Sequence, residues 1–208
     1  MQAKSHLALV MPNGEKRAVA PGRLPNAEYR KREHLTESEV GKLIEAAKSN
    51  RHGHRDSTMI LVAYRHGLRA SEVCDLRWDD INFHAATLNV TRKKNGTPTT
   101  HQLNGAELRA LRRLQKEQEP KSAFVFINER ATPFDRSGFN YMVKRAGSKA
   151  GLTFQAHAHM LRHAAGYTLA NRGKDTRSIQ AYLGHRDIRH TVKYTELSPT
   201  RFKGFFPD

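Results

Sequence analysis

The sequence predicts a mainly α-helical fold with a small antiparallel β-sheet or hairpin, and three observations carry that prediction. Apolar residues recur at helical spacing, as at Val40, Leu43, Ile44 and Ala47. Helix-end signals flank such runs: Thr36-Glu37-Ser38-Glu39 has the spacing of a capping box, and Gly67 stands where a left-handed C-terminal cap belongs. The pattern changes between Thr87 and Leu103, where β-rich residues lie on both sides of Lys94-Asn95-Gly96. Asn-Gly is the strongest short hairpin signal, because both turn residues accept positive φ.

Taken in order, residues 1–33 contain Pro12, Asn13, Gly14, Pro21, Gly22 and Pro25 and carry Lys16, Arg17, Arg23, Arg30, Lys31 and Arg32. They read as a basic, flexible arm, either a solvated leader or an extension that meets DNA. Residues 34–208 form the domain proper. Its first helix follows Thr36. A second, over 56–66, presents Met59, Ile60, Val62 and Ala63, and a short third leads from Arg69 to Leu76. Beyond the hairpin, helices are expected over 106–117, 136–150, 159–172, 176–183 and 191–197.

Composition narrows the function. A chain of 208 residues has room for one domain and a short appendage. Its 36 Lys and Arg against 20 Asp and Glu leave a formal charge of +16, which a polyanionic partner would relieve. Nucleic acid fits best; an anionic membrane is the weaker competitor, because no basic amphipathic anchor helix stands out. The single cysteine, Cys74, excludes an intramolecular disulfide framework. No apolar run spans a bilayer and the N-terminus lacks a secretion signal, so a cytoplasmic, nucleoid-associated protein is expected.

The segment from His157 to Tyr194 holds the candidate chemistry. His159 and Arg162, three apart, share a helix face near its N-terminal end; the arginine offers a planar fork for phosphate and the histidine can exchange a proton. Gly184-His185 follows a helix ending at Leu183, and Tyr194 lies nine residues past that histidine. A phenol with a pKa of about 10 needs basic neighbours to attack. His157, His159 and His163 also have a spacing seen among zinc ligands, but the acid of a His-Glu-x-x-His site is missing and no metal is expected. Tyr64, Tyr141, Tyr167 and Tyr182 read as half-buried aromatics.

Gly67-Leu68-Arg69-Ala70-Ser71-Glu72, then His159-Met160-Leu161-Arg162-His163, then Leu183-Gly184-His185 and Tyr194 resemble the ordered signature of the tyrosine recombinase, or phage-integrase, family. The resemblance covers about 35–205. The stretches 63–67 and 184–191 look most like the short recombinases that invert fimbrial promoter switches. It implies the fold of a tyrosine recombinase catalytic domain and a site-specific recombinase that breaks and rejoins DNA through a 3′-phosphotyrosyl intermediate, in inversion, excision or integration.

The resemblance also implies roles. Arg69 and Arg162 hold the scissile phosphate, Lys94 protonates the leaving 5′ oxygen, and His159 assists proton removal. His185 contacts the phosphate and Tyr194 is the nucleophile. Glu72 and His163 support these groups. Arg92 and Lys93 beside the turn, and Arg186 and Arg189 after Leu-Gly-His, are expected to face DNA; Lys93 could also take the place of Lys94. The chemistry needs no cofactor, neither metal nor ATP. The implied partners are double-stranded DNA with specific recombination sites, further copies of the chain in a tetramer on that DNA, and DNA-bending accessory proteins. Only about 34 residues precede the domain where most relatives carry a separate core-binding domain, which predicts weaker binding by a single copy. Phe202, Phe205 and Phe206 could anchor in a neighbouring protomer or pack locally. A catalytically silent DNA-binding regulator on the same scaffold and a type IB topoisomerase-like enzyme are the alternatives.

Overall fold

In the computed structural model the described residues are 9–10, 16–17, 32–92, 97–196, 198 and 202. The chain divides into two compact units, 1–33 and 34–208. Within the first, β1 (Leu9–Val10) pairs antiparallel with β2 (Lys16–Arg17).

The second unit opens with α1 (Glu37–Lys48), and its start is dictated locally. The Thr36 hydroxyl accepts a bond from the Glu39 amide at 3.2 Å while the Glu39 carboxylate accepts one from the Thr36 amide at 2.8 Å. Two orphan amides are thereby satisfied. Val40, Leu43 and Ala47 then face inward.

Next comes α2 (Gly53–Arg65), which packs on α1. It stops at Gly67, whose φ is +55°, and the Leu68 amide reaches back to the Ala63 carbonyl at 2.9 Å. That left-handed turn suits glycine. Packing demands it as well, since a Cβ there would lie 2.3 Å from Leu183 Cδ2. The short α3 (Ala70–Cys74) follows, then a 3₁₀ turn over Trp78–Asp80.

The expected hairpin is the larger part of a three-stranded antiparallel sheet ordered β3 (Ile81–Asn82), β4 (Thr87–Val90), β5 (Thr99–Gln102). Leu88 faces Ile81 on one side and His101 on the other. A strand of two residues is too short to display alternation, so β3 left no pattern in the sequence. The turn residues 93–96 lie outside the described residues.

Five helices complete the unit: α4 (Gly105–Glu117), α5 (Arg136–Lys149), α6 (Ala158–Asn171), α7 (Thr176–Leu183) and α8 (Arg189–Glu196). Asn104, Asp135 and Asp175 cap the first, second and fourth through their side chains. Leu43, Met59, Ile60, Val143 and Leu161 are fully buried, each worth about 1.5–3 kcal/mol of apolar transfer. Helix α6 runs through this core, touching α1, α2 and α5 as well as α7 and α8. That placement brings its polar residues against the ends of the motif-bearing segments. No described helix is long and apolar enough to cross a membrane.

Candidate active site

Arg162 projects from the first half of α6 and is 1% exposed. Its Nη1 donates to the Gly67 carbonyl at 2.5 Å and its Nη2 to the Leu183 carbonyl at 2.7 Å. One planar fork thus ties Gly-Leu-Arg to Leu-Gly-His. Burial, then the charges of Arg69 and Arg92, push its guanidinium down to about 9.

Arg69 precedes α3, and Glu72 lies one turn further on. The Arg69 amide donates to Glu72 Oε2 at 2.9 Å, and its Nη1 reaches Oε1 at 2.6 Å. Glu72 also lies 3.0 Å from Arg92 Nη1 and 3.8 Å from Arg162 Nη1. Burial opposes ionisation of its carboxyl, but the Arg69 amide bond and the neighbouring guanidinium groups outweigh it, and its pKa is lowered. The Arg69 side chain is partly exposed where these others are buried.

Arg69 and His185 line a cleft of about 630 Å³ together with Arg177, Gln180, Gly184, Arg186, Asp187, Ile188 and His190. Three arginines and two histidines against one aspartate make it a cleft for an anion. Asp187 is itself engaged with Arg189, at 2.7 Å. The His185 Nδ1 lies 2.8 Å from the Thr191 hydroxyl, and burial followed by the charges of Arg162 and Arg69 pushes its pKa down to about 3.

Tyr194, on α8, is 1% exposed. Its hydroxyl lies 2.8 Å from His163 Nδ1, and its ring stacks on that of His185 with centroids 6.3 Å apart. Gly166 leaves room for the ring: a Cβ there would stand 2.6 Å from Tyr194 Cε2. His159 lies behind His163, ring centroids 4.4 Å apart. Burial, then His159 and Lys193, push His163 down to about 2; burial, then Arg162, push His159 down to about 4. In its Nε2–H tautomer, His163 is an acceptor for the phenolic proton.

The structure therefore brings Arg69, Glu72, Arg162, His163, His185 and Tyr194 together, with His159 adjoining. The contact to Tyr194, expected of His159, is made by His163. Lys93 and Lys94 lie outside the described residues. Arg186 and Arg189 are exposed, and Arg186 lines the cleft. Arg92 requires a correction: expected to face DNA, it is 5% exposed, because Glu72 and two backbone carbonyls take up its guanidinium. Arg177, His190 and Thr191 received no role from sequence reasoning; Arg177 and Gln180, three apart on α7, carried a usable signal in their shared face.

Residues 33–201 match the phage integrase family. The chain is 41% identical to the type 1 fimbriae regulatory protein FimB of Escherichia coli strain K12 over 184 residues, covering 86% of this chain and 92% of that protein. It is 42% identical to FimE of the same strain over 181 residues, covering 85% and 91% respectively. Identity to tyrosine recombinase XerA of Pyrococcus horikoshii is 32% over 167 residues, 79% of this chain and 56% of that protein. A crystal structure of XerA recombinase superposes with a TM-score of 0.73 at 27% identity, covering 89% of this chain and 70% of that one. In XerH bound to a palindromic substrate after cleavage, the fold is shared at a TM-score of 0.71 and 20% identity, over 92% of this chain and 59% of that one. With four-fifths of its length inside that match, and with motifs far apart in sequence joined around Arg162 and Tyr194, the chain belongs to the phage integrase family.

Proposed function

We propose that the chain is a site-specific DNA recombinase that cleaves a strand with Tyr194 and rejoins it to another. The observation that carries this reading is that Tyr194 packs against His163 and His185 while Arg162 joins the segments bearing Arg69 and His185, which line the cleft. The phenolic oxygen attacks phosphorus, the bond to the 5′ oxygen breaks, and a 3′-phosphotyrosyl linkage forms. The phenolic proton passes to the imidazole pair, with His163 in contact. Lys94 returns a proton to the leaving oxygen. Arg69 and Arg162 stabilise the charge that builds on the nonbridging oxygens, with His185 as a further donor. The linkage conserves the energy of the broken bond, so a 5′ hydroxyl from another strand reverses the step without ATP or metal.

Tyr194 is buried beside the cleft and does not line it. Attack thus requires α8 to shift when DNA fills the cleft. Lys93, Arg186, Arg189 and the basic residues of 1–33 add phosphate contacts. Deleting 1–33 is expected to flatten the salt dependence of binding; an unchanged slope would leave the arm a passive leader. Two rounds of exchange take place in a tetramer on DNA, assisted by bending proteins, within the nucleoid.

The test is to trap covalent adducts on DNA of the genome that encodes the chain, map the site, and rebuild it as a nicked suicide duplex. Wild type should leave an adduct and Tyr194→Phe none. An undiminished adduct in the variant would remove Tyr194 from its role.

A further inference from the structure

We propose that Arg92 is a positioning residue for this cleavage: from beneath the cleft it sets the alignment of Arg69 and Arg162 on the phosphate. The inference rests on the recombinase reading above.

The side chain of Arg92 has no exposed surface. Its Nη1 donates to Glu72 at 3.0 Å, and its Nη2 to the carbonyls of His66, at 3.3 Å, and Tyr182. Its stem runs under Gly184, which has φ of +63°; a Cβ there would stand 2.7 Å from Arg92 Cγ. One side chain therefore touches the acid that holds Arg69, the residue before Gly67, and the turn leading to His185. Arg162 bridges Gly67 and Leu183. The two buried forks clamp the same pair of segments.

Behind Arg92 stands a row of polar groups. Glu107 Oε1 lies 3.0 Å from His66 Nε2, His66 Nδ1 lies 3.1 Å from His101 Nδ1, and His101 Nε2 lies 2.9 Å from the Thr99 hydroxyl. Arg92 can only donate, so His101 Nε2, 3.5 Å from Arg92 Nη2, is an acceptor, and His101 Nδ1–H then donates to His66 Nδ1. The Thr99 hydroxyl donates to the same nitrogen of His101 that faces Arg92. Arg92 thus backs onto a neutral acceptor and not onto another cation.

Stability does not explain this arrangement. The buried guanidinium groups of Arg92 and Arg162 share the Glu72 carboxylate with the partly exposed Arg69. A buried ion pair can often be exchanged for apolar groups with no loss of stability. What Arg92 supplies is geometry: it fixes Glu72, and Glu72 fixes Arg69.

The experiment uses the full chain and the mapped site as a nicked duplex in two forms, with an ordinary phosphate or a methylphosphonate at the scissile position. The methyl group removes one charged oxygen, so cleavage depends less on aligned arginines. Arg92→Met should slow adduct formation about a hundredfold on the phosphate duplex, the scale set by misplacement of a catalytic group. On the methylphosphonate duplex the loss should shrink to about tenfold or less, because less charge needs stabilising. Arg92→Lys, which keeps the charge without the fork, should recover only part of the rate. Equal losses on both duplexes, or no loss, would overturn the proposal. If Arg92→Met melts early, His101→Leu replaces it with the same expected difference and the same overturning result. Arg69→Ala, run in parallel, must show the relief by methylphosphonate itself. Wild type without any adduct, or Arg69→Ala without relief, would strike down the recombinase reading and not Arg92 alone.

Discussion

The Tyr194 hydroxyl and His163 Nδ1 stand 2.8 Å apart, on α8 and α6, so the candidate nucleophile is stored against a neutral imidazole. The contact joins two helices whose sequences carry separate motifs. Removing it isolates its worth. Tyr194→Phe should lower stability by about 1 kcal/mol, the net value of one hydrogen bond. His163→Leu combined with Tyr194→Phe should cost less than the sum of the single changes, by roughly 0.5–1.5 kcal/mol. Urea denaturation of the four proteins measures this, and additive losses would mean that the pair does not interact.

The same burial predicts acid sensitivity. His101 and His185 are held down to about 3 and His163 to about 2, against 6.5 in an unfolded chain. Above 6.5 these rings are neutral in both states and contribute nothing. As pH falls below 6.5 the unfolded chain takes up protons that the folded one refuses, so stability drops, and continues to drop toward the folded values. Each ring adds up to about 1.4 kcal/mol per pH unit to the slope. Thermal melts between pH 8 and pH 4.5 should show a midpoint falling progressively once below 6.5. A flat profile would show that the rings titrate normally.

Local chemistry was the legible part of the fold. The Thr36–Glu39 capping box, the left-handed Gly67 and the Asn95-Gly96 turn each depend on neighbours in sequence, and the first two are found as expected. Gly67 also had a long-range reason, the Leu183 side chain, that no local pattern could disclose. Arg92 marks where such reading fails. In the run Arg92-Lys93-Lys94 it looks like one of several solvated cations. Its burial is decided by Glu72 and Tyr182, distant in sequence, whose approach only the packed helices create. For His163 the sequence predicts a supporting place beside His159, and only the packing of α6 against α8 brings its ring to the Tyr194 hydroxyl.

Arg69, Arg92 and Arg162 converge on the Glu72 carboxylate. Glu72→Leu should destabilise the domain by about 3–5 kcal/mol, since it leaves buried cations without compensation. Glu72→Gln, which keeps an acceptor but not the charge, should cost less. Because the carboxyl pKa is lowered from 4.5, the stability it provides is present above that value and is lost as pH falls through the folded value. The wild-type melting curve should therefore approach that of Glu72→Gln in acid. Variants that stay apart at every pH would show that the charge of Glu72 is not what matters.

The exposed cations about the cleft differ in what they have to spare for DNA. Arg189 is tied to Asp187 at 2.7 Å, while Arg177 and Arg186 line the cleft. Arg177→Gln and Arg186→Gln should each weaken binding and reduce the salt slope by about 1, the mark of one phosphate contact. Arg189→Gln should reduce it less, since Asp187 must be displaced first. Titration of a labelled duplex at several salt concentrations separates these cases; slopes that do not change would place the DNA elsewhere.

Gly166 sets two physical effects against each other. In the interior of α6, alanine should be preferred over glycine by about 1 kcal/mol. Yet a Cβ at this position would meet three atoms of the Tyr194 ring at 2.6–2.8 Å, and the neighbour it meets is a rigid aromatic. Overpacking of that kind costs about 1–3 kcal/mol, so the clash should win and Gly166→Ala should destabilise. The origin of the loss can be checked by truncation. With Tyr194→Ala in the background the ring is gone, and Gly166→Ala should then stabilise the domain as helix propensity alone demands. Tyr194→Phe, which keeps the ring, should give no such reversal. The sign change between these two backgrounds ties the missing side chain at 166 to the storage of the Tyr194 ring, and an identical effect of Gly166→Ala in both would break that link.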